Sequence, residues 1–243
     1  MSTGGGAPLA GATAVVTGAS RGIGAAIARS LVAAGADVAI VARGRAALDA
    51  LATELRPHAF AVPCDLGDAR AVAGAVGSIT ARFGTAPGIL VNNAGIFRVA
   101  AVHELAADDL EAMLGLNLVA PFRFVRAFLP AMKASKGGHI VSIGSVADRT
   151  AYAGNAGYSA SKFGARAVHE VLRAETRGSG VRATLISPAA TDTEIWDGLE
   201  PGVRGKFPAR AEMLRAEDIA EAVLFAVTRD ARVNVDELRV SRA

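Results

Sequence analysis

Tyr158 and Lys162 stand four residues apart in a segment with helical periodicity, so both side chains project from one face. A free tyrosine titrates near pH 10 and is a poor base at neutrality, but a neighbouring ammonium favours its phenolate. At roughly 4 Å in an effective dielectric of about 20, that attraction is worth about 4 kcal/mol. It corresponds to a fall of up to roughly three pKa units, with burial acting in the opposite sense. The spacing therefore predicts a tyrosine of lowered pKa that exchanges a proton with a reacting oxygen as a general acid or base.

Far upstream, an apolar strand runs directly into Thr17-Gly18-Ala19-Ser20-Arg21-Gly22-Ile23-Gly24, and a helical pattern follows. Glycines at such a turn let the backbone approach a pyrophosphate, and the helix behind them offers free N–H groups and a positive dipole end. The spacing is Gly-x-x-x-Gly-x-Gly rather than Gly-x-Gly-x-x-Gly.

Two further motifs follow in order: Asn92-Asn93-Ala94-Gly95 after another apolar strand, and Ser145 ahead of Tyr158-x-x-x-Lys162. With these in place the chain resembles the short-chain dehydrogenase/reductase family from about Leu9 to its end. The resemblance implies interconversion of a carbonyl and a secondary alcohol by hydride transfer to or from a nicotinamide dinucleotide. Tyr158 would give or take the proton. Lys162 would lower the tyrosine pKa and hold the nicotinamide ribose. Ser145 would orient the substrate oxygen, and Asn117 would hold a water leading to the lysine. For the dinucleotide, the resemblance implies contacts from Gly18, Ser20, Arg21, Gly22, Ile23 and Gly24 of the turn. Asp65 would accept from the adenine amino group, with Leu66 beside the ring. Asn93, Ala94 and Gly95 would line the adenine-ribose side while steadying the sheet. Beyond the sixth strand, Pro188 and Thr193 would lie near the carboxamide, with Ala189 where the family commonly has glycine.

The phosphate state of the dinucleotide follows from charge. NAD-selective sheets place a carboxylate at the end of the second strand to hold the ribose 2′-hydroxyl. Here that position is Ala42, followed by Arg43. A guanidinium can bind a 2′-phosphate through several charge-assisted hydrogen bonds, and Arg21 supplies a second. NADP(H) is expected in preference to NAD(H).

Short apolar runs alternating with helical segments must position these groups. Strands are expected over 13–17, 37–41, 59–63, 89–92, 139–143, 181–187 and 237–240. Helices are expected over 22–34, 45–56, 68–83, 155–177 and 217–228, with a long helical region over 108–134 that Pro121 and Pro130 bend or divide. Strands this apolar need cover on both faces. The fold class is therefore α/β: a single Rossmann-fold domain over 9–243, with a doubly wound parallel sheet of about seven strands and helices on both faces. Residues 1–8 are a Gly-rich flexible start, and 189–211 is a lid or substrate loop. That loop starts apolar with Ile195, Trp196 and Leu199 and continues through Pro201 and Gly202 into a basic second half with Arg204, Lys206, Phe207 and Arg210.

At 243 residues and 51% apolar, the chain can bury a large core, and its net charge of +3 comes from scattered arginines. That argues against a nucleic-acid partner, and no apolar run approaches the length of a membrane span. A lone Cys64 allows no internal disulfide, and His58, His103, His139 and His169 lack metal-ligand spacing, so no metal is expected. No signal peptide is evident, which suits a cytoplasmic protein. The resemblance also implies a homodimer or homotetramer paired through the long central helices.

A small carbonyl compound or hydroxy acid is the expected substrate type. One alternative is a reductase of 3-oxoacyl chains on acyl carrier protein. Against it stand Pro130, where such enzymes often carry a basic docking residue, and the absence of their usual C-terminal segment. Another is a non-catalytic NADP(H)-sensing regulator, which would not need Asn117, Ser145, Tyr158 and Lys162 together. A methyltransferase on a related sheet would not need the Tyr-Lys pair.

Overall fold

Val15, Val16, Leu90, Val91 and Ile140 have no solvent exposure, because the strands that carry them lie in the middle of a sheet covered on both sides. In the computed structural model, which describes residues 6–199 and 207–243, seven parallel strands form that sheet. They are β1 (Thr13–Thr17), β2 (Asp37–Ala42), β3 (Ala59–Pro63), β4 (Ile89–Asn92), β5 (Gly138–Ile143), β6 (Val181–Pro188) and β7 (Glu237–Val240). Their spatial order is β3-β2-β1-β4-β5-β6-β7. The chain winds outward from β1 to β3, returns to β4 beside β1, then winds outward the other way. Ligands of such sheets bind at the carboxyl ends of the two strands where the winding reverses.

Successive residues of one strand serve opposite faces. Val16, Ile40 and Val91 pack under α1 (Gly22–Ala33), α2 (Arg45–Glu54) and α7 (Ala216–Val227). Val15, Val41 and Leu90 pack under α3 (Ala69–Phe83), α5 (Ala120–Ala134) and α6 (Ala156–Thr176). Helix ends follow local chemistry. The Asp68 carboxylate accepts from the Arg70 N–H at 2.7 Å to start α3, and Gly84, at φ 75°, ends it in the left-handed conformation.

The long central helix differs from expectation in where it is interrupted. α4 (Ala107–Leu114) passes into a π-helical turn, Gly115–Val119, and then into α5. Pro121 lies just beyond that turn and Pro130 sits inside α5 without dividing it. Pro121 has no N–H to return to the preceding turn, and Asn117 is pulled off the helix by contacts elsewhere, so the wide turn forms there. By length and composition the 107–134 segment would also pass as a membrane span. Here it lies along the sheet, with Met113, Phe124, Phe128 and Met132 almost fully buried.

At the start of the chain, Leu9 is buried and its N–H donates to the Ala34 carbonyl at 2.8 Å. Residues 1–5 of the expected flexible start lie outside the described residues.

Two histidines are enclosed between sheet and helix. His139 of β5 shares a 2.7 Å hydrogen bond with the Thr184 hydroxyl, and His169 of α6 shares one of 3.0 Å with Ser142. Burial pushes His139 down to about 3 and His169 down to about 4, with nearby arginines acting in the same direction. Both rings are therefore neutral in the folded chain, whereas the unfolded chain protonates them near pH 6.5. Their contribution to stability is complete above that value and is lost as pH falls toward the folded values. Denaturant unfolding should show stability declining by about 1.4 kcal/mol per imidazole per pH unit between about pH 6.5 and about pH 4.5. A His139→Gln/His169→Gln double variant should flatten that decline; an unchanged slope would refute the assignment.

Candidate active site

The glycine turn is held by a knot of hydrogen bonds between the exits of β1 and β4. Thr17 Oγ1 donates to the Val91 carbonyl at 3.3 Å and accepts from the N–H groups of Asn93 and Ala94 at 3.0 and 3.2 Å. The Asn93 amide donates back to the carbonyls of Thr17 and Gly18 at 2.9 and 3.3 Å. Glycine is demanded by the packing. A Cβ on Gly24 would stand 2.3 Å from the Gly18 carbonyl oxygen and 2.5 Å from Asn93 Nδ2. Gly18, at φ +67°, would drive one to 2.7 Å from Ala94 Cα. Ser20, Arg21 and Ile23 complete the turn, with Arg21 exposed as the residue that precedes α1. Thr193 lies against the same turn, its methyl 3.1 Å from where a Gly22 Cβ would be.

Arg43 is exposed just beyond β2, and neither it nor Arg21 has a side-chain partner among the described residues. Asp65 is exposed and accepts from the Gly67 N–H at 3.0 Å, whereas Leu66, expected beside a ring, is 4% exposed with its side chain in the core. Cys64 is buried beside it, its thiol pushed up to about 11 by burial and by the charges of Asp65 and Asp68, so it fits as packing. Pro188 closes β6, and the Ala189 N–H donates to the Val240 carbonyl at 2.8 Å. Lys136 is the one non-glycine residue at positive φ among the described residues, so alanine at 189 costs no left-handed strain.

Ser145, Tyr158, Lys162 and Asn117 are brought to one place by the end of β5, the first turns of α6 and the π turn. Ser145 Oγ accepts from the Ala147 N–H at 3.1 Å. That bond occupies a lone pair and leaves the hydroxyl proton for a ligand or for Tyr158. The Tyr158 ring lies 5.8 Å from Lys162 Nζ, which donates to the Ile143 carbonyl at 2.9 Å. Asn117 accepts from the Ile96 N–H at 2.8 Å and donates to the Ile96 carbonyl and Ser161 Oγ, each at 3.0 Å. Both amide hydrogens are taken, so a water on this residue would donate to the free Oδ1 lone pair or to the backbone carbonyl. Behind Lys162, a cavity of about 30 Å³ is bordered by Asn92, Asn117, Ser142 and His169. The rest of its lining is mainly apolar and includes Leu118, Pro121, Phe122 and Val125.

The electrostatics overturn the expected direction for Tyr158. Burial pushes its phenol up to about 12; the Ser145 hydroxyl pulls it down and the Asp148 charge pushes it further up. Burial also pulls Lys162 down to about 8, opposed by Asp148. Sequence spacing implies an ammonium in contact with the phenol. In the folded chain the ammonium is itself desolvated and engaged with a backbone carbonyl, so burial is the larger effect on both groups.

The cover over Tyr158 is aromatic. Phe97 meets the Tyr158 ring edge-to-face at 4.8 Å, Trp196 at 5.4 Å and Phe207 at 5.8 Å. Sequence reasoning singled out Trp196 and Phe207 but missed Phe97; an aromatic two residues beyond the Asn-Asn-Ala-Gly motif was the available signal. Of the basic residues expected in the loop, Arg210 is tied to Asp192 at 2.7 Å and to Asp197, so it steadies the loop. Pro201, Gly202, Arg204 and Lys206 lie outside the described residues. A larger cavity of about 420 Å³ opens at the far end of β6, around Arg173, Arg182 and Asn234, and shares no residue with this site.

These contacts make Gly24→Ala a sharp test of the turn. Displacing the Gly18 carbonyl or Asn93 should cost roughly 1–3 kcal/mol, lowering dinucleotide affinity about tenfold to a hundredfold by calorimetry. Unchanged affinity would mean the turn is not the binding cradle.

Known proteins place the chain in a family. Residues 12–203 match the family model for short chain dehydrogenase. A D-threitol dehydrogenase of Mycolicibacterium smegmatis is 38% identical over 224 residues, 89% of this chain and 86% of that protein. A metagenomic short-chain oxidoreductase solved in complex with NADP superposes with a TM-score of 0.82 at 34% identity, covering 96% of this chain and 98% of the other. The closed form of a serine dehydrogenase complexed with NADP+ gives 0.86 at 32% identity over 94% of both chains. The chain belongs to the short-chain dehydrogenase/reductase family of NAD(P)-dependent oxidoreductases.

Proposed function

We propose that this protein interconverts a small carbonyl compound and its secondary alcohol using NADP(H), with Tyr158 as the general acid/base. The observation that carries the reading is the convergence of Ser145, Tyr158, Lys162 and Asn117 at the end of β5 and the first turns of α6. At about 12, the Tyr158 phenol keeps its proton at neutrality, the form a carbonyl oxygen needs as it becomes an alcohol. Ser145, with a lone pair tied to Ala147, presents its own proton to the same oxygen. Lys162 stands behind the ring with a pKa of about 8 and can replenish the proton. When bound, the dinucleotide supplies or accepts the hydride.

The fit for that dinucleotide rests on the glycine cradle at the N-terminus of α1, where Gly18 and Gly24 leave no space for a Cβ. The phosphate preference rests on Arg21 and Arg43, two exposed guanidinium groups at the turn and beyond β2, with Ala42 in place of a carboxylate. Relatives solved with NADP support it. The aromatic cover of Phe97, Trp196 and Phe207 suits a compact, partly apolar substrate.

Val119 and Phe122 of the central helix and Phe163 and Val171 of α6 are exposed apolar side chains, suited to pairing of two copies through these helices. Light scattering coupled to size exclusion should then report a dimer or tetramer, and Phe122→Glu should shift it toward the monomer. A wild-type monomer would reject the pairing.

Turnover is tested by following NADPH consumption against ketones, 3-oxoesters and diketones, with the reverse reaction run on the matching alcohols. Reduction should hold through neutral pH and fall at alkaline pH, while oxidation should rise with pH. Tyr158→Phe should lower kcat/KM by roughly a hundredfold to ten-thousandfold. Arg43→Ala should weaken NADPH by about tenfold or more and leave NADH little changed. Tight NADPH binding with no turnover on the whole panel would point to a sensor instead.

A further inference from the structure

The reading above leaves Asp148 without a role, yet no other carboxylate among the described residues is buried as completely: it is 1% exposed. It lies in the 3₁₀ turn Val146–Asp148 that follows Ser145. Its Oδ2 accepts from the Ser145 N–H at 3.2 Å and from the Ser187 hydroxyl at 2.5 Å. The turn closes on itself from the other side, since Ser145 Oγ accepts from the Ala147 N–H. Room for the carboxylate is made by Gly144, whose Cβ would stand 2.5 Å from Asp148 Oδ2.

The charges facing this group can be named element by element. From its own turn, Arg149 donates through Nε to Oδ1 at 2.9 Å. From α6, Arg166 approaches to 3.7 Å, and Lys162 and Tyr158 lie within its field. From β7, Glu237 binds Arg149 at 2.5 Å and Arg166 at 3.3 Å. Glu170 of α6 takes Arg166 Nε at 2.8 Å, and β6 contributes the neutral Ser187. The two arginines thus hold Asp148 in place while sharing their own charge with Glu237 and Glu170.

We propose that Asp148 is a positioning residue for the reaction, pinning the Ser145 turn from behind and holding a fixed negative charge next to Tyr158 and Lys162 that sets the pH range of proton transfer. The proposal rests on Tyr158 and Lys162 being the acid/base pair. A buried anion favours the protonated state of both neighbours, so it keeps Lys162 charged and the Tyr158 proton in place. A hydrophobic residue at 148 would leave Arg149 and Arg166 partly uncompensated beside the site and would move both groups the other way.

Three variants separate this from simple packing. Asp148→Asn keeps an oxygen for the Ser145 N–H but removes the charge. Arg149→Gln strips the carboxylate of a neutralising partner. Ser187→Ala removes a contact to the same oxygen while leaving the charge. The chain has four lysines, so Lys162 can be followed directly by Nζ/Cε NMR of lysine-labelled protein, with Lys162→Met for assignment. Its midpoint, near 8 in the wild type, should fall by roughly one unit in Asp148→Asn. It should rise in Arg149→Gln and stay in place in Ser187→Ala. The alkaline limb of carbonyl reduction should move in step. An Asp148→Asn enzyme that loses activity with both midpoint and limb unmoved would reduce Asp148 to a structural residue and overturn the proposal. Should that variant fail to fold, Arg149→Gln decides: an unmoved or lowered midpoint overturns the proposal equally. Absence of any wild-type turnover would sink the catalytic reading, while the Lys162 titration, which needs no turnover, would still decide the effect of Asp148.

Discussion

The Thr17 hydroxyl, 2% exposed at the end of β1, is shared among three backbone groups of the β4 exit, and the geometry of the whole site descends from that knot. It fixes how closely the two strand ends approach where the winding of the sheet reverses. The Asn93 amide then locks the glycine turn from the other side, and α1 enters across Gly24 with no space for a methyl group. Each bond contributes only about 1 kcal/mol net, but a buried partner left unmet would cost more, so the arrangement is held collectively. From the same β4 exit, Ile96 carries the constraint onward. Its N–H and carbonyl hold Asn117, Asn117 holds Ser161, and the Ser161 hydroxyl donates to the Tyr158 carbonyl at 2.7 Å. The phosphate cradle and the acid/base helix are thus parts of one hydrogen-bonded chain.

Burial rather than pairing governs the charges at the far end of that chain. Tyr158 rises and Lys162 falls because desolvation disfavours both the phenolate and the ammonium. A phenol near 12 beside an amine near 8 leaves the proton on the oxygen and makes the lysine the group that changes state nearest neutrality. The Asp148 charge resists the fall of the lysine and adds to the rise of the tyrosine.

The strands and most helix boundaries were legible because their signals are local: apolar runs such as Ala14-Val15-Val16 within β1, and glycine stops such as Gly84. The site residues were legible because motif spacing survives in one dimension. What escaped is set by contacts distant in sequence. The π turn forms just before Pro121, where Asn117 reaches back to Ile96, a contact that the sequence does not display. Phe97 and Asp148 matter through what they touch, Tyr158 in one case and Ser145, Ser187 and Arg149 in the other. The direction of the tyrosine shift was missed because spacing reveals the neighbouring charge but not the loss of water around both groups.

Trp196 is the single tryptophan of the chain, and it stands in the aromatic cover with its indole N–H donating to the Thr191 carbonyl at 2.8 Å. The protein therefore carries one indole fluorophore, and it sits over the chemistry. Its emission colour and intensity depend on the polarity and ring contacts around the indole, which here include Phe97 and Phe207. Anything that enters beneath the cover or lifts it perturbs that light, with no other indole to blur the signal. Occupancy of the site can be watched in the unlabelled protein, in real time, during rapid mixing.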